Sequence, residues 1–337
     1  MRESAFLCGW YGLGGKVFCF IANFKDFAMS YEGEMLESYE MPTRIEVEKA
    51  LLISLFNHDG TIKEFGSDEA IVDEIADKFG LNKDQRTASL QTVYRKENRI
   101  KHSILWHRLL FRAADSLVKG KLVSRPTSTY QITGKKEWML TENGFDKALK
   151  LLNIPQAQKP LLSTKSFEVQ KVVKRLTEAP SPKDYNPFDE KKKAGTITKE
   201  SAIRTRGFRQ AIIEAYEYRC AFCGMKINSP DSLSWEVEAA HIVPHGLMGK
   251  DDIWNGLALC HLHHWAFDVG WFTLGDDYNI QVSSKIHHLP PDFGKVGGYD
   301  LIRSHINKNS KVFLPKRTEN YPHRNAISWH RENKFFR

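Results

Sequence analysis

The apolar positions between residues 41 and 153 repeat at helical spacing in three stretches. In the first, from Ile45 to Phe56, the repeat is typical of a helix, and Asp59-Gly60 then predicts its end. A second helix is predicted from a cap at Ser67 through Lys78. The third and longest helix is predicted over Arg99–Leu117, a basic stretch with enough apolar residues to bury one face. We therefore expect this region to be mainly helical.

A short β-ribbon and a closing helix are predicted to follow. The pattern favours strands over Lys121–Val123, Tyr130–Ile132 and Glu137–Leu140. Thr141 then begins a helix that runs to Leu152. Helices followed by a small ribbon and a final helix indicate a winged helix-turn-helix domain.

Two segments of this region carry a resemblance to a known domain. The runs N-R-I-K-H-S-I-L-W-H-R-L-L-F-R-A-A-D-S-L-V and E-W-M-L-T-E-N-G-F are similar to the N-terminal domain of Mrr-type restriction proteins. The resemblance implies a module that reads DNA, with the long basic helix offering cations to the duplex. The candidate DNA-binding residues on it are Arg99, Lys101, His102, Arg108 and Arg112.

Cysteine and histidine residues are concentrated between residues 220 and 264. Cys220 and Cys223 form a C-x-x-C pair, and Cys260 and His263 form a C-x-x-H pair. Together they supply the four ligands that a structural, tetrahedral Zn²⁺ prefers. The neighbouring residues His261 and His264 are alternative ligands, but the spacing from Cys260 favours His263. Because a small module buries little apolar area, we expect zinc to supply much of its stability.

Three further motifs are interleaved with these ligands. They are A-H-I-V-P at 240–244, N-G-L-A-L-C at 255–260 and H-H-W-A-F-D at 263–268. In this order they resemble the signature of HNH endonucleases of the ββα-metal type. The resemblance runs from about Arg204 to about Leu274, with a continuation into the W-H-R at 329–331. It implies a ββα-metal fold, and with the helical region before it an α+β fold class.

His241 is the residue expected to act as general base in hydrolysis of a phosphodiester. An imidazole has a pKa of roughly 6.5, so near neutral pH it can accept the proton of an attacking water. His264 and Asp268 lie four residues apart in a helix expected over Leu262–Val269, so both can face one catalytic Mg²⁺ or Mn²⁺. The resemblance gives Asn255 one of two roles, which are contact with the metal or fixation of the loop that carries the base.

One position departs from the HNH pattern. Many HNH proteins have His or Asp directly before the base, often as a metal ligand, whereas this chain has Ala240. In a regular strand Glu238 would share the face of Ala240, so it is a candidate to compensate directly or through water. Asp268 is the other candidate. Ahead of the zinc ligands, the run R-T-R-G-F-R at 204–209 offers three candidate phosphate-binding residues, which are Arg204, Arg206 and Arg209.

Charge and cysteine content indicate the partner and the compartment. Lys and Arg total 49 against 41 Asp and Glu, with the excess concentrated at residues 94–125 and 301–337, which favours a polyanion such as double-stranded DNA. Only Cys8 and Cys19 remain outside the zinc set, so no disulfide framework is implied and a cytoplasmic protein is expected. The apolar stretch at residues 5–20 is too short for a membrane span, and no G-x-x-x-x-G-K-[ST] motif predicts a nucleotide cofactor.

The sequence as a whole predicts a nuclease joined to a DNA-reading module. The expected parts are an uncertain N-terminal extension over 1–40, a winged-helix domain over 41–153, a largely polar linker over 154–201 and an HNH domain over 202–337. The predicted function is restriction of foreign double-stranded DNA, with modified sites favoured over unmodified ones as targets. Cutting both strands of a palindrome would favour a homodimer. The alternative from another class is a non-catalytic, zinc-containing DNA-binding regulator in which Ala240 marks lost catalysis.

Overall fold

Thr43 begins the first helix of the main part of the chain with a capping box. Its hydroxyl accepts the backbone N–H of Glu46, and the Glu46 carboxylate accepts the backbone N–H of Thr43 at 2.8 Å. The computed structural model describes residues 31–65, 69–94, 99–190, 198–285 and 310–337, without the side chains of 69, 92–94 and 99–101. Contacts divide the chain between Met41 and Pro42. Helix α1 (Tyr31–Ser38) belongs to the first part, and every element below belongs to the second.

Helices and short strands alternate over residues 42–190. The helices are α2 (Arg44–Asn57), α3 (Glu69–Lys78), α4 (Lys83–Thr87), α5 (Leu105–Lys119), α6 (Pro126–Thr133), α7 (Glu142–Leu151) and α8 (Phe167–Thr177). The strands are β1 (Thr61–Lys63), β2 (Ser89–Tyr94), β3 (Arg99–Ile104), β4 (Val123–Ser124) and β5 (Glu137–Leu140). Antiparallel pairing gives one sheet of order β1-β5-β4 and a separate β2-β3 pair.

The prediction of a helix over Arg99–Leu117 is wrong for the first six residues of this range. Residues Arg99–Ile104 form β3, which pairs with β2 along its whole length, and α5 begins only at Leu105. The buried positions of α5 recur at helical spacing from Leu105 to Leu117, so the apolar face of the helix is in place from its first residue. Trp106 on this helix is 1 % exposed and Trp138 on β5 is 7 % exposed, so both belong to the core.

The strand predicted over Tyr130–Ile132 is also wrong, because these residues lie in α6. The β-branched and aromatic composition of the segment favours a strand. Helix signals at its two ends decide otherwise, with Pro126 in the first turn and Gly134 closing the helix at φ 71°. Two helix boundaries agree with the prediction from the sequence. Helix α2 ends at Asn57, before Asp59-Gly60, and Thr141 caps α7. Ser67, the predicted cap of α3, lies outside the described residues.

Residues 198–285 contain two antiparallel strands followed by a helix. The elements are α9 (Lys199–Ala215), β6 (Val237–His241), β7 (Gly256–Cys260), α10 (His261–Asp268), β8 (Phe272–Leu274) and β9 (Ile280–Val282). In β6 and β7, Val237 is opposite Cys260 and His241 is opposite Gly256. Because α10 follows β7 without a loop, these three elements form a ββα unit. The fold is thus a mixture of helices and sheets, as the sequence predicts.

Two glycines allow helix α9 to pack closely against its neighbours, one against α8 and the other against β7 of this unit. At Gly207 a Cβ atom would lie 2.3 Å from Val172 Cγ1 of α8, and at Gly256 it would lie 2.3 Å from Ile212 Cδ1 of α9. Glycine therefore lets α8, α9 and β7 approach one another. Helix α8 lies within the segment expected to be a largely polar linker, and its Val169, Val173 and Leu176 lie in the same apolar core as α9, β6 and β7.

The C-terminal segment packs on the ββα unit. Its helix α11 (Arg324–Asn333) places His330 in the core, where the imidazole stacks on Phe267 of α10 with ring centroids 3.6 Å apart. The W-H-R run at 329–331 therefore belongs structurally with the motifs it was expected to continue. Among the described helices, none is both long and apolar enough for a membrane crossing.

Candidate functional site

Cys220, Cys223, Cys260 and His263 meet where β7 ends and α10 begins. The Sγ atoms of Cys223 and Cys260 are 4.0 Å apart, and His263 Nδ1 is 3.1 Å from Cys260 Sγ and 3.6 Å from Cys220 Sγ. Ligand atoms around a tetrahedral Zn²⁺ with Zn–S bonds of about 2.3 Å lie roughly 3.8 Å apart. Within the described ranges this is the only group of three or more His, Cys, Asp or Glu residues whose ligand atoms all lie within 4.8 Å of one another. The geometry and the three thiolates fit a structural zinc ion.

His241, at the end of β6, is held on two sides. Its ring stacks on Phe208 of α9 with centroids 4.2 Å apart and an interplanar angle of 21°. Its Nε2 lies 2.9 Å from Oδ1 of Asp251, whose side chain is 2 % exposed. Among the described residues none hydrogen-bonds Nδ1, and this atom is not enclosed by protein. One ring nitrogen is thus fixed while the other is open to a reacting water.

Asn255 is completely buried and bonded only to backbone. Its Oδ1 accepts the N–H of Val243 at 2.8 Å, and its Nδ2 donates to the carbonyl oxygens of Val243 at 3.1 Å and Lys250 at 3.0 Å. These bonds tie together the two ends of the loop that follows His241. Of the two roles left open for Asn255, this geometry corresponds to fixing that loop.

Glu238, His264 and Asp268 form a second polar group on the outer side of β6 and α10. His264 Nδ1 is 3.0 Å from Glu238 Oε2, and its Nε2 is 3.6 Å from Asp268 Oδ2. The hydrogen bond with Glu238 raises the pKa of His264, which burial opposes, and the same bond lowers the pKa of Glu238. The side chain of Glu238 is partly exposed, whereas Ala240 is completely buried.

Comparison with known proteins places these residues in one family. The family model described as HNH endonuclease matches residues 220–275. Residues 220–275 are an HNH endonuclease domain. A solved structure described as "Modification dependent TagI restriction endonuclease" has 22% sequence identity and a TM-score of 0.26, and the match covers 37% of this chain and 36% of that chain. A search of curated proteins gives no match.

The arginines before the HNH domain have three different surroundings. Arg204 Nε bonds Oδ2 of Asp251 at 3.1 Å. Arg206 is only 11 % exposed and forms an ion pair with Glu142 at the start of α7. Arg209 lies beside the polar group of the domain: burial lowers its pKa, and the negative charge of Glu238 acts in the opposite direction.

Of the three, Arg206 is thus committed to an internal ion pair, whereas Arg204 and Arg209 border His241's partner and the Glu238 group. The sequence pattern gives all three the same position before the zinc ligands. Only the direction in which each side chain leaves α9 separates them.

The DNA-binding candidates outside the HNH domain do not share one helix. Arg99, Lys101 and His102 are on β3, while Arg108 and Arg112 are on α5. His102 and Arg112 are exposed, and Arg108 donates to Ser103 Oγ at 3.4 Å. The side chains of Arg99 and Lys101 lie outside the described part of the structure.

Asp251 is a site residue that the motif comparison missed. It contacts His241 across ten positions of sequence, and nothing in the A-H-I-V-P or N-G-L-A-L-C motifs indicates it. The available signal is the pair of adjacent carboxylates, Asp251-Asp252, four and three residues before Asn255. His261, an alternative zinc ligand in the sequence, lies outside the Cys220–His263 group; it bonds Glu236 and approaches Glu238 to 3.5 Å.

Proposed function

We propose that this protein is a metal-dependent endonuclease that cuts double-stranded DNA, with His241 as general base. The observation that carries the proposal is the setting of His241 in the HNH domain. Its Nε2 faces a buried carboxylate, its ring is held by Phe208, and its Nδ1 has no partner among the described residues. A base needs this combination of fixed orientation and one free nitrogen.

His264 and Asp268 are proposed to hold the catalytic Mg²⁺ or Mn²⁺, with Glu238 orienting His264 through its Nδ1. Carboxylate and imidazole ligands suit such an ion, and the 3.6 Å between His264 Nε2 and Asp268 Oδ2 is short enough for one ion to contact both. Bound there, the ion would neutralise charge on the scissile phosphate and on the leaving oxygen. The positive charge of Arg209 beside Glu238 would assist in attracting the phosphate.

The region over 41–153 is proposed to read DNA as a winged-helix domain, joined by residues 154–201 to a nuclease domain over 202–337. The exposed His102 on β3 and Arg112 on α5 support a surface that meets phosphate, together with the excess of basic residues over 94–125. Glu142 joins this region to α9, because it is buried and paired with both Arg206 and Lys159.

Restriction of foreign DNA at modified sites is proposed as the biological role, in the cytoplasm and with a homodimer cutting both strands. The resemblance of residues 98–118 and 137–145 to Mrr-type reading domains supports this role. A conventional restriction enzyme for unmodified DNA would use the same residues for cleavage. The two differ only in what the reading domain selects.

A non-catalytic regulator is the second candidate, and one observation favours it. Outside the Cys220–His263 zinc group, the described chain has no set of three ligand residues close enough to surround an ion, and Ala240 stands where a ligand is common. Such a protein would bind DNA and zinc but would cut nothing.

Cleavage of matched plasmids tests these candidates. One plasmid is unmethylated and the others carry adenine or cytosine methylation, each with Mg²⁺, Mn²⁺ or chelator. We expect cutting of one methylated plasmid only, dependent on the metal and absent in His241→Ala, which should keep its zinc and its DNA binding. Cutting of all plasmids at fixed sites indicates a conventional enzyme. Binding without cutting under every condition would establish the regulator.

A further inference from the structure

Asp251 lies in the loop between β6 and β7 with its carboxylate almost completely buried. Burying a carboxylate is unfavourable unless both oxygens find donors. Oδ1 accepts from His241 Nε2 at 2.9 Å and Oδ2 accepts from Arg204 Nε at 3.1 Å. His245 Nε2 is 3.9 Å from Oδ1, so two histidines and one arginine lie near this carboxylate. None of the HNH motifs assigns a role to Asp251.

The contact with Asp251 determines which nitrogen of His241 carries the proton. An ionised carboxylate can only accept hydrogen bonds, so Nε2 must be the protonated nitrogen. In the neutral ring Nδ1 is then the atom with a free lone pair. This is also the nitrogen that has no partner in the described structure and is not enclosed by protein.

The surrounding structure fixes Asp251 as firmly as it fixes His241. Asn255 bonds the backbone of Val243 and Lys250, the residues at the two ends of the loop segment that leads from the base to Asp251. Arg204 holds the second oxygen from α9, the same helix whose Phe208 stacks on the imidazole. The carboxylate and the ring are therefore positioned by shared elements.

We infer that Asp251 is a positioning residue for cleavage: its carboxylate holds His241 in the Nε2–H tautomer, so that Nδ1 receives the proton of the attacking water. This inference rests on the proposed function. As the water oxygen bonds to phosphorus, its proton passes to Nδ1. The P–O bond to the leaving strand then breaks, and its electron pair stays on the leaving oxygen. Asp251 itself exchanges no proton and touches no substrate.

The neighbouring Asp252 provides a matched control. Its carboxylate is also in the loop, but it accepts the hydroxyl of Tyr185 instead of an imidazole, and burial raises its pKa. Replacing either residue by Asn removes one carboxylate from the same loop with almost no change in shape. Only the change at residue 251 removes the acceptor of His241.

Kinetics with the preferred plasmid separate positioning from folding. We expect Asp251→Asn to lower kcat by at least about 100-fold with KM within a few-fold of wild type, since the fraction of His241 with a free Nδ1 falls. Asp252→Asn should keep kcat within a few-fold. Zinc content and thermal unfolding are measured on both variants. Wild-type kcat in a folded Asp251→Asn protein would overturn the inference.

The tautomer can be observed without any cleavage. Nitrogen-15 NMR of histidine-labelled protein distinguishes Nε2–H from Nδ1–H rings, and His241→Gln assigns the signal. We expect the Nε2–H form in wild type and in Asp252→Asn, with the Nδ1–H form populated in Asp251→Asn. A Nδ1–H ring in the wild-type protein overturns the inference even if Asp251→Asn does not fold. If His241 of the wild-type protein is in the Nε2–H form but the protein cuts no DNA, the proposed function is wrong, although Asp251 still determines the tautomer of His241.

Discussion

At the residue scale, two histidines of the chain, His241 and His330, have opposite environments. His241 keeps one nitrogen open beside a carboxylate, whereas His330 is 1 % exposed and has both nitrogens used. Thr273 Oγ1 is 3.0 Å from its Nδ1 and the carbonyl oxygen of Phe267 is 3.1 Å from its Nε2. Burial lowers the pKa of His330 to about 4, against the effect of the Phe267 carbonyl. His330 is therefore a neutral core residue.

Stability should consequently depend on pH through His330. Because the folded pKa lies below the unfolded value of 6.5, the contribution is complete above pH 6.5 and is lost as pH falls toward 4. The full difference corresponds to about 3 kcal/mol. We expect denaturant unfolding to show a shallower loss of stability between pH 6.5 and 4 in His330→Gln than in wild type. The exposed-residue control His102→Gln should keep the wild-type slope, and equal slopes in all three proteins would contradict the assignment.

At the element scale, the stability of the ββα unit depends on the contacts that hold its two strands and its helix together. Cys220 and Cys223 approach from the loop after α9, Cys260 ends β7 and His263 lies in the first turn of α10. An ion bound to all four ligands would connect these elements directly. The core contacts of α8 and α9 support the unit from the other side.

Zinc removal should therefore unfold this unit. We expect one zinc per chain, and expect Cys223→Ser to lose it together with several kcal/mol of stability, because binding free energy at such a site is folding free energy. Elemental analysis and thermal unfolding measure both effects. His261→Ala is the matched control, since this exposed residue is adjacent to Cys260 but outside the ligand group. Loss of zinc in His261→Ala would reassign the fourth ligand.

The close contact between α8 and α9 gives a second test at this scale. In Gly207→Ala the new methyl group would lie 2.3 Å from Val172 Cγ1, and we expect a loss of about 1–3 kcal/mol in spite of alanine's better helix propensity. Chemical denaturation measures the change. Adding Val172→Ala should restore part of the loss, whereas Gly246→Ala, where a Cβ meets open space, should be neutral. A stabilised Gly207→Ala would show that the helices are not in close contact.

Element boundaries were predictable where local signals decide them. The end of α2 before Asp59-Gly60 and the cap of α7 at Thr141 follow from glycine and side-chain capping chemistry. The prediction of a helix over Arg99–Ile104 was wrong, because the strand observed there depends on pairing with residues 89–94. No property of the segment itself indicates that pairing. The same holds for Asp251, since its contact with His241 exists only after the loop has folded.

At the scale of the whole molecule, the described residues between 42 and 337 form one compact unit. The apolar core that contains the HNH strands also contains Val169 and Val173 of α8. At the start of α7, burial alone would raise the pKa of Glu142, but Arg206 and Lys159 outweigh it and the pKa lies below its usual value. The proposed reading domain is thus connected to α9 by buried charge, while α8 shares the apolar core of the HNH strands.

We therefore expect the zinc-loaded protein to unfold in a single transition. Arg206→Met should lower the midpoint, because it leaves the carboxylate of Glu142 buried with one cation fewer. Differential scanning calorimetry with far-UV circular dichroism measures this. Arg219→Met, at a position that follows α9, is a control for general loss of charge. Two separate transitions in the wild-type protein would instead mean that the two regions fold independently.

The sequence by itself determined the chemistry that is available: four residues at the spacing of zinc ligands, His241, Asn255 and His264 in HNH order, and the helices whose ends carry local capping signals. These properties depend on residue type and on spacing within a few positions, so they can be recognised in the sequence before the fold is known. Tertiary structure decided which of these groups meet. It placed the Asp251 carboxylate on His241, separated Arg206 from Arg204 and Arg209, and buried His330, because contacts between distant residues exist only once α9, the loop and the strands pack together.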